Sequence, residues 1–520
     1  MGTHKEKQDK GLSASKLTML ALGSVVGGSF FLGTAVVMNA TGPAIILSYI
    51  AAGVLVYFIL FALSEMTVAN PDSGSFRTFT IHAFGPGSGF VVGWVYWTGM
   101  VLTMSSEATA VSILIREWIP NLSISLFGSL LILAVTLLNL LGADQLSRLE
   151  SGLSMVKLVT VVAFILLGAM LILGLWPGMA PVGVGEITAE PFLPGGIGGL
   201  AGSMLIVVFA YAGFEIIGLA ASETRNPHKT IPRAIWFTVI ALITLYLLTS
   251  MVILLLIPTS ELNESVSPMV AALNRWGMGW AGTLMNVVLV TAILSAMLGA
   301  MFGIGRMMRS LAEEGDAPKW LRDRTDVPYR GILFSGFGML ISLWFGLLLP
   351  RVYLFLISAG GFALLFTYAS ILATHIRFRK KYGCPPKGKC QMPGYPYTSW
   401  FALISLIAVI FSMPFIKGQG SGMIAGLVMV TAYSLIFQVK RYFNSFYMRS
   451  IKNNTGDRSY HTSLSEEMSE ELTQGMKGKA GDRGEAQDKD ISLIGKEKIN
   501  SIGDREKGSK RSHTCEKKKE

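Results

Sequence analysis

Glycines interrupt two otherwise apolar stretches of the sequence, and both interruptions have the chemistry to bind a polar molecule. The first stretch reads ALGSVVGGSFFLG and includes Gly27 and Gly28, and the second reads FAYAGFEIIG and includes Gly213 and Gly218. Unwinding a buried helix frees backbone N–H and C=O groups, which apolar surroundings cannot satisfy. Such an interruption persists where the freed groups line a cavity or bind something polar.

The freed groups at the two interruptions match the two ends of a zwitterion. Three N–H groups beside a half-helix N-terminus suit a carboxylate, those of Gly27, Gly28 and Ser29. Three carbonyls suit an ammonium group, those near Phe209, Ala210 and Ala212. One amino acid backbone would satisfy both sets, and glycine lets it approach the main chain closely. The alternative is that these glycines serve only close helix packing.

Three ionisable residues lie within apolar stretches, where a charge is costly and suggests a functional role. They are Glu107 in SSEATA, Lys157 in SMVKLV, and Glu215 beside the second interruption. Lys157 must pair with an acceptor or release its proton, which makes it a candidate coupling group; the alternative is that it extends to the membrane boundary. For Glu107 the alternative is an interhelical hydrogen bond made as the neutral acid. We assign the three residues to proton coupling or gating.

The elements that must position these residues are membrane-spanning helices. Of the 520 residues 51% are hydrophobic and only 15% are charged, which excludes an ordinary soluble protein. Uncharged runs of about twenty residues match the thickness of the hydrocarbon core when helical. The predicted spans are 17–38, 43–67, 87–115, 122–141, 151–175, 195–221, 234–257, 279–307, 331–349, 352–375, 400–415 and 422–439. The predicted fold class is an all-α integral membrane protein of about twelve transmembrane helices.

Glycine-interrupted spans at matching places, the first and the sixth, indicate an inverted repeat whose broken helices meet at a midplane site. Basic residues concentrate in alternate loops, which predicts that both termini are cytosolic. The same sorting disfavours nucleic acid as the partner of a chain with net charge +11. The polar lead MGTHKEKQDK before a full-length apolar run predicts no cleavable signal peptide.

The sequence divides into three predicted regions. Residues 1–16 form a cytosolic segment, 17–442 the transmembrane domain, and 443–520 a polar tail that we expect to be disordered and cytosolic. The tail is either a solvated extension or a regulatory segment. Three cysteines lie on the predicted cytosolic side, where thiols stay reduced, so no disulfide is expected: Cys384, Cys390 and Cys515. Two thiols in CPPKGKC without a second ligand pair do not predict a metal site.

Several motifs in order resemble the amino acid, polyamine and organocation transporter superfamily, and within it the bacterial amino acid permeases related to aromatic, lysine and GABA permeases. The motifs include GSVVGGSFFLG, VVFAYAGFEIIGLAASETRNPHKTIPRAI and GIGRMMRSLAEEGDAPK, and the resemblance covers roughly residues 12–443. It implies the five-plus-five inverted-repeat fold of the sodium-coupled leucine transporters, with broken helices 1 and 6 and two additional C-terminal helices. Such proteins work by alternating access.

The resemblance also implies roles for individual residues. In such proteins the positions matching the two interruptions bind the substrate carboxylate and amino group, and Phe209 matches an aromatic gate. Glu215 matches a glutamate tied to proton response, and Glu107 a third-span acid important in related permeases. The lysine matching Lys157 occupies the place of a sodium ion in sodium-coupled relatives, which favours protons over sodium. This chain departs from the usual G-T-G or G-S-G pattern, because its residues are Gly27, Gly28 and Ser29.

We therefore expect a permease of the cell membrane that takes an L-amino acid into the cytosol by proton symport, without a cofactor. Its expected partners are the small-molecule substrate and the lipid bilayer, and the oligomeric state stays open. The alternatives are an amino acid exchanger, or a transporter-like sensor that signals through the tail. An enzyme is not expected, because the loops contain no hydrolytic constellation, phosphate loop or metal-ligand set.

Overall fold

The structure is a computed structural model. It describes residues 13–69, 76–141, 143–188, 190–215, 217, 224, 226–323, 325, 327–349, 351–384 and 392–455. Within these ranges the elements are helices and no strand occurs. The α-helices are α1 Ala14–Val25, α2 Gly28–Phe31, α3 Gly33–Thr41, α4 Ile45–Ala69, α5 Phe76–Phe84, α6 Pro86–Ile115, α7 Ile124–Asn139, α8 Ala143–Ile172, α9 Gly196–Ala210, α10 Pro227–Leu256, α11 Pro268–Arg275, α12 Gly279–Glu313, α13 Tyr329–Gly346, α14 Val352–Tyr382, α15 Tyr397–Ser412 and α16 Gln419–Thr455.

Helix length and composition confirm the prediction of an all-α membrane protein. Within the described residues, eight helical stretches are long and apolar enough to cross a bilayer, and three shorter apolar helices, α1, α7 and α9, accompany them. Because a bilayer provides no hydrogen-bond partners for the backbone, helices of this kind satisfy their own N–H and C=O groups. The number of spans, twelve, stays a prediction.

The outward face of α7 illustrates how the sequence suits a lipid surface. Leu126 and Leu130 are exposed on it, with relative accessibilities of 64% and 54%, and Leu133 and Leu137 continue the same stripe. The opposite face carries the buried Ile132. Large exposed leucines on a regular stripe would be unfavourable in water but suit hydrocarbon.

The first and sixth predicted spans are both broken, which confirms that prediction. Helix α1 ends at Val25, and two extended residues separate it from α2, which starts at Gly28. Helix α9 ends at Ala210 and a turn follows, in which Gly213 has φ +104°. That backbone conformation strongly favours glycine, since a side chain there is strained. Gly218 lies outside the described residues.

Helices α6 and α14 form the centre of the bundle and pack with their backbones close together. A Cβ atom on Gly99 of α6 would lie 2.4 Å from the Cβ of Ala363 on α14. A Cβ on Gly360 would lie 3.1 Å from the carbonyl oxygen of Gly99. Small residues permit this approach, which is a common way to associate helices in a membrane. The packing holds α6 in the core, and α6 carries Glu107 two turns beyond Gly99.

The chain divides into two units, Met1–Val439 and Lys440–Glu520. The candidate site belongs entirely to the first. Of the second, the structure describes the end of α16, and the remainder of the predicted tail lies outside the described residues.

The prediction of a reduced thiol is wrong for Cys384, which is disulfide-bonded. The prediction rested on the compartment alone, but a disulfide also depends on whether the fold brings two sulfur atoms together. Cys390 and Cys515 lie outside the described residues.

Candidate functional site

The two helix breaks touch each other in the core. The hydroxyl of Ser24, at the end of α1, donates a hydrogen bond to the carbonyl oxygen of Gly213 at 3.0 Å. A Cβ on Gly213 would lie only 2.8 Å from the carbonyl oxygen of Ser24. Glycine at this position therefore provides both the backbone conformation and the close approach. Together the breaks bring freed polar groups of two distant segments to one place.

A cavity of about 260 Å³ lies beside the two breaks. Seven of the residues that the sequence singles out line it, namely Gly27, Ser29, Glu107, Phe209, Ala212, Gly213 and Glu215. The structure thus brings together residues from the first, third and sixth predicted spans. Three others are buried next to the cavity rather than in its lining, namely Gly28, Ala210 and Lys157.

The Glu107 carboxylate lies directly against the first break. Its Oε2 atom accepts a hydrogen bond from the backbone N–H of Gly28 at 3.0 Å, and the backbone of Ser29 also interacts with the carboxylate. The residue is 7% exposed. On the other side of Gly28, the hydroxyl of Tyr353 donates to the Gly28 carbonyl oxygen at 3.4 Å. Both polar groups of Gly28 therefore have partners in side chains of other helices.

Glu215 has the equivalent position at the second break. Its Oε2 atom accepts from the backbone N–H of Gly213 at 2.8 Å, and its Oε1 atom accepts from the hydroxyl of Tyr368 on α14. Glu215 is 6% exposed. Each helix break thus has a nearly buried carboxylate on one of its freed N–H groups, and both carboxylates line the same cavity. Hydrogen bonds of this kind, to a charged acceptor, are stronger than neutral ones.

The carbonyls at the second break already have donors within the protein. The Ala210 carbonyl oxygen accepts from the hydroxyl of Tyr246 at 2.7 Å, and that of Phe209 accepts from the N–H of Ala212 at 2.9 Å. A carbonyl oxygen has two lone pairs, so one such bond leaves capacity for a second donor. These carbonyls can still accept from an ammonium group, with the protein holding them in place.

Lys157 is buried in α8, with 1% of its surface exposed, rather than extended to a boundary. The helix packs on α1 nearby, where the hydroxyl of Ser154 donates to the Gly23 carbonyl oxygen at 3.5 Å. The positive charge of Lys157 acts on the Glu107 carboxylate. The candidate coupling groups Lys157 and Glu107 therefore belong to one electrostatic cluster behind the first break.

Sequence reasoning missed the cavity wall that α12 contributes. Four small residues of this helix line the cavity: Ala296, Gly299, Ala300 and Gly303. Their spacing of three, four and seven places them on one helical face. That spacing is visible in the sequence and could have identified the wall. The contribution of α6, through Tyr96, Met100 and Thr103, has no comparable signal.

No cluster of three potential metal ligands occurs among the described His, Cys, Asp and Glu residues. Among the residues that the structure describes, one further buried acid, Glu65, belongs to another network. Glu65 accepts from the N–H of Met392 at 2.8 Å and lies 2.7 Å from Nε2 of His375. This network joins α4, α14 and the segment before α15.

A family model described as "Amino acid permease" matches residues 16–452. The chain belongs to the amino acid permease family. Its members are transporters rather than enzymes, and the predicted superfamily, the multi-pass membrane character and the absence of an enzymatic role agree with this assignment.

Several amino acid permeases are similar to most of this chain. The gamma-aminobutyric acid permease of Bacillus subtilis is 32% identical over 83% of this chain and 94% of its own length. That of Escherichia coli is 32% identical over 79% of this chain and 89% of its own length. The L-asparagine permease of Salmonella typhimurium is 31% identical over 83% of this chain and 88% of its own length.

A solved structure supports the fold. A manganese transporter of Eremococcus coleocola, in complex with an aromatic bis-isothiourea substituted compound, superposes with a TM-score of 0.52 and 13% identity, covering 84% of this chain and 95% of its own. At that identity the likeness concerns the fold alone. It agrees with the transporter architecture that this permease was expected to have.

Proposed function

We propose that this permease is a proton-coupled symporter that carries an L-amino acid into the cytosol. Membership of the family supplies the class of substrate.

The observation that carries the proposal is the pair of carboxylates on the two helix breaks. Glu107 and Glu215 each accept a hydrogen bond from a backbone N–H at a helix break. Both side chains line the cavity beside the two breaks. A proton added to either carboxylate removes its charge and weakens its hold on the N–H group. Proton binding and the conformation of the breaks are therefore linked through one set of hydrogen bonds. Intramembrane ionisable groups in such positions are the usual elements of proton coupling.

In this proposal the amino acid binds between the two helix breaks. The backbone N–H groups at Gly27, Gly28 and Ser29 would receive its carboxylate, and the carbonyls of Phe209 and Ala212 its ammonium group. The cavity volume of about 260 Å³ suits a single small solute. Relatives are named for gamma-aminobutyric acid and L-asparagine, which carry no net charge as zwitterions, and a probable threonine/serine transporter of Bacillus subtilis is 29% identical. We accordingly propose a neutral amino acid.

Protons serve as the coupling ion in this proposal, and sodium does not. In its protonated form Lys157 supplies a positive charge next to the first break, acting on Glu107. A cation at that place disfavours a second cation through like-charge repulsion. The distribution of basic loops favours cytosolic termini, and we propose that the amino acid moves across the cell membrane to that same side.

Uptake into proteoliposomes tests the proposal. The purified protein is reconstituted and offered radiolabelled L-amino acids, with and without an inward proton gradient at constant sodium. Accumulation that collapses on addition of a protonophore is the expected result. Uptake that depends on amino acid inside the vesicles and ignores the proton gradient would identify an exchanger instead. Binding without any uptake would identify a sensor.

A further inference from the structure

The backbone amide of Gly28 has one hydrogen-bond donor, its N–H group. This N–H donates to the carboxylate of Glu107. The contact is 3.0 Å long and joins a carboxylate on α6 to the first residue of α2. A backbone amide makes one strong hydrogen bond, so two carboxylates cannot both accept it. They would also repel each other at such a distance in a medium of low dielectric constant.

The absence of a side chain at position 28 is what allows this contact. A Cβ there would lie 2.2 Å from Oε2 and 3.1 Å from Cδ of Glu107. Its other near neighbour, Cδ1 of Ile293, would be 3.3 Å away. The Glu107 carboxylate thus occupies the volume that a side chain at position 28 would need.

We propose that Glu107 is a resident anion in the carboxylate subsite, and that a substrate carboxylate reaches Gly28 only by displacing it. The inference rests on the proposed function, because it assumes that the substrate carboxylate binds at the first break. Glu107 is then a specificity-determining residue that weakens the binding of every ligand carrying a carboxylate. Ligands that lack a carboxylate escape this competition.

The surroundings allow the displaced carboxylate to remain inside the protein. Its side chain already lines the cavity, so it has room to turn away from the break. The charge of Lys157 acts on Glu107 and continues to compensate it after the N–H is released. The substrate carboxylate takes over the backbone hydrogen bonds that Glu107 gives up at the break, and the cost is the movement and desolvation of Glu107.

Equilibrium binding to the purified full-length protein tests this inference without depending on proton coupling. The twenty protein L-amino acids are screened for binding to the wild-type protein. The tightest ligand is then compared with its decarboxylated amine, in which hydrogen replaces the carboxylate. Both are titrated into Glu107→Gln, which removes the charge, and into Glu107→Ala, which removes the competing group and leaves the Gly28 N–H open. Glu313→Gln, an exposed acid on the same chain, is the matched control.

The amino acid should bind both variants roughly tenfold more tightly than it binds the wild type, since a charged competitor for one hydrogen bond has been removed. The amine should bind all proteins equally within about twofold, because it never competes with Glu107. A cooperative thermal unfolding transition shows that a variant is folded. One folded variant is enough for the comparison with the wild type.

Unchanged amino acid affinity in the folded variants would overturn the inference. So would a parallel loss of affinity for amino acid and amine, which would mean that Glu107 contacts the ammonium group. Neither result would affect the proposed symport, which the uptake experiment tests separately. If no amino acid bound to the wild type or the variants, both the proposed function and the inference would fall.

Discussion

The carboxylate of Glu107 and the backbone N–H of Gly28 are separated by 79 positions in the sequence and joined by a 3.0 Å hydrogen bond. The contact links the third span to the break in the first, beside the cavity. A matching bond joins Glu215 to Gly213 within the second break. The two breaks therefore have a common design, in which a buried carboxylate stabilises a freed backbone donor and is itself available for protonation.

Replacing Lys157 by methionine should abolish proton-driven accumulation. Methionine has a similar length but no charge, so the protein should insert and fold while the Glu107 cluster loses its cation. Uptake into proteoliposomes should fall to the level seen without a proton gradient. Lys319→Met, at an exposed site on the loop after α12, is the control and should accumulate normally. Normal accumulation by Lys157→Met would remove this residue from the mechanism.

Replacing Gly213 by alanine should destabilise the protein for two reasons. Its φ of +104° strains any side chain, at a cost of about 1–3 kcal/mol, and the new Cβ would lie 2.8 Å from the Ser24 carbonyl oxygen. Gly178→Ala separates the two effects, because Gly178 has φ +81° and nothing within 4 Å of the added atom. Thermal unfolding in detergent should show the larger loss for Gly213→Ala. Equal losses would mean that the close approach of the two breaks adds nothing to the cost of the strained backbone conformation.

The hydroxyl of Tyr246 should contribute to the stability of the protein separately from the packing of the ring. Tyr246→Phe keeps the ring, whose centroid lies 4.2 Å from that of Phe30, but removes the donor 2.7 Å from the Ala210 carbonyl oxygen. A buried carbonyl left without this partner should cost about 1–3 kcal/mol in the free energy of unfolding. Tyr329→Phe, at a residue 40% exposed, is the control and should unfold like the wild type. Unchanged stability in Tyr246→Phe would show that another donor replaces the hydroxyl.

Arg77 should anchor the segment after α12 to α5. It is 1% exposed, lies 2.6 Å from Glu314 Oε2 through Nη1, and binds Asp316 through Nη2. Arg77→Met should lower the free energy of unfolding by roughly 2–3 kcal/mol, less than for a fully buried pair because Glu314 is partly exposed. Arg309→Met breaks an exposed pair with Glu313 and should cost less than about 1 kcal/mol.

Thermal unfolding of the two arginine variants compares them directly. The expected order is a clear loss for Arg77→Met and a small one for Arg309→Met. If both variants unfolded like the wild type, the ion pairs of Arg77 would not hold the segment.

The sequence by itself determined the helical membrane class and the places where two helices break. Both follow from local properties, since apolar runs of span length must be helical in a bilayer and glycine alone tolerates the backbone at Gly213. The intramembrane residues Glu107, Lys157 and Glu215 were also evident, because a charge in an apolar run stands out without any knowledge of its neighbours.

Only the tertiary structure decided which groups meet. That Glu107 reaches Gly28, that Tyr246 holds the Ala210 carbonyl, and that Lys157 is buried behind the first break depend on how whole helices pack. A glycine in a sequence shows that something can approach closely, but not whether that is a substrate or a side chain from another span. At position 28 it is the carboxylate of Glu107, because the packing of α6 in the core brings that side chain to the break.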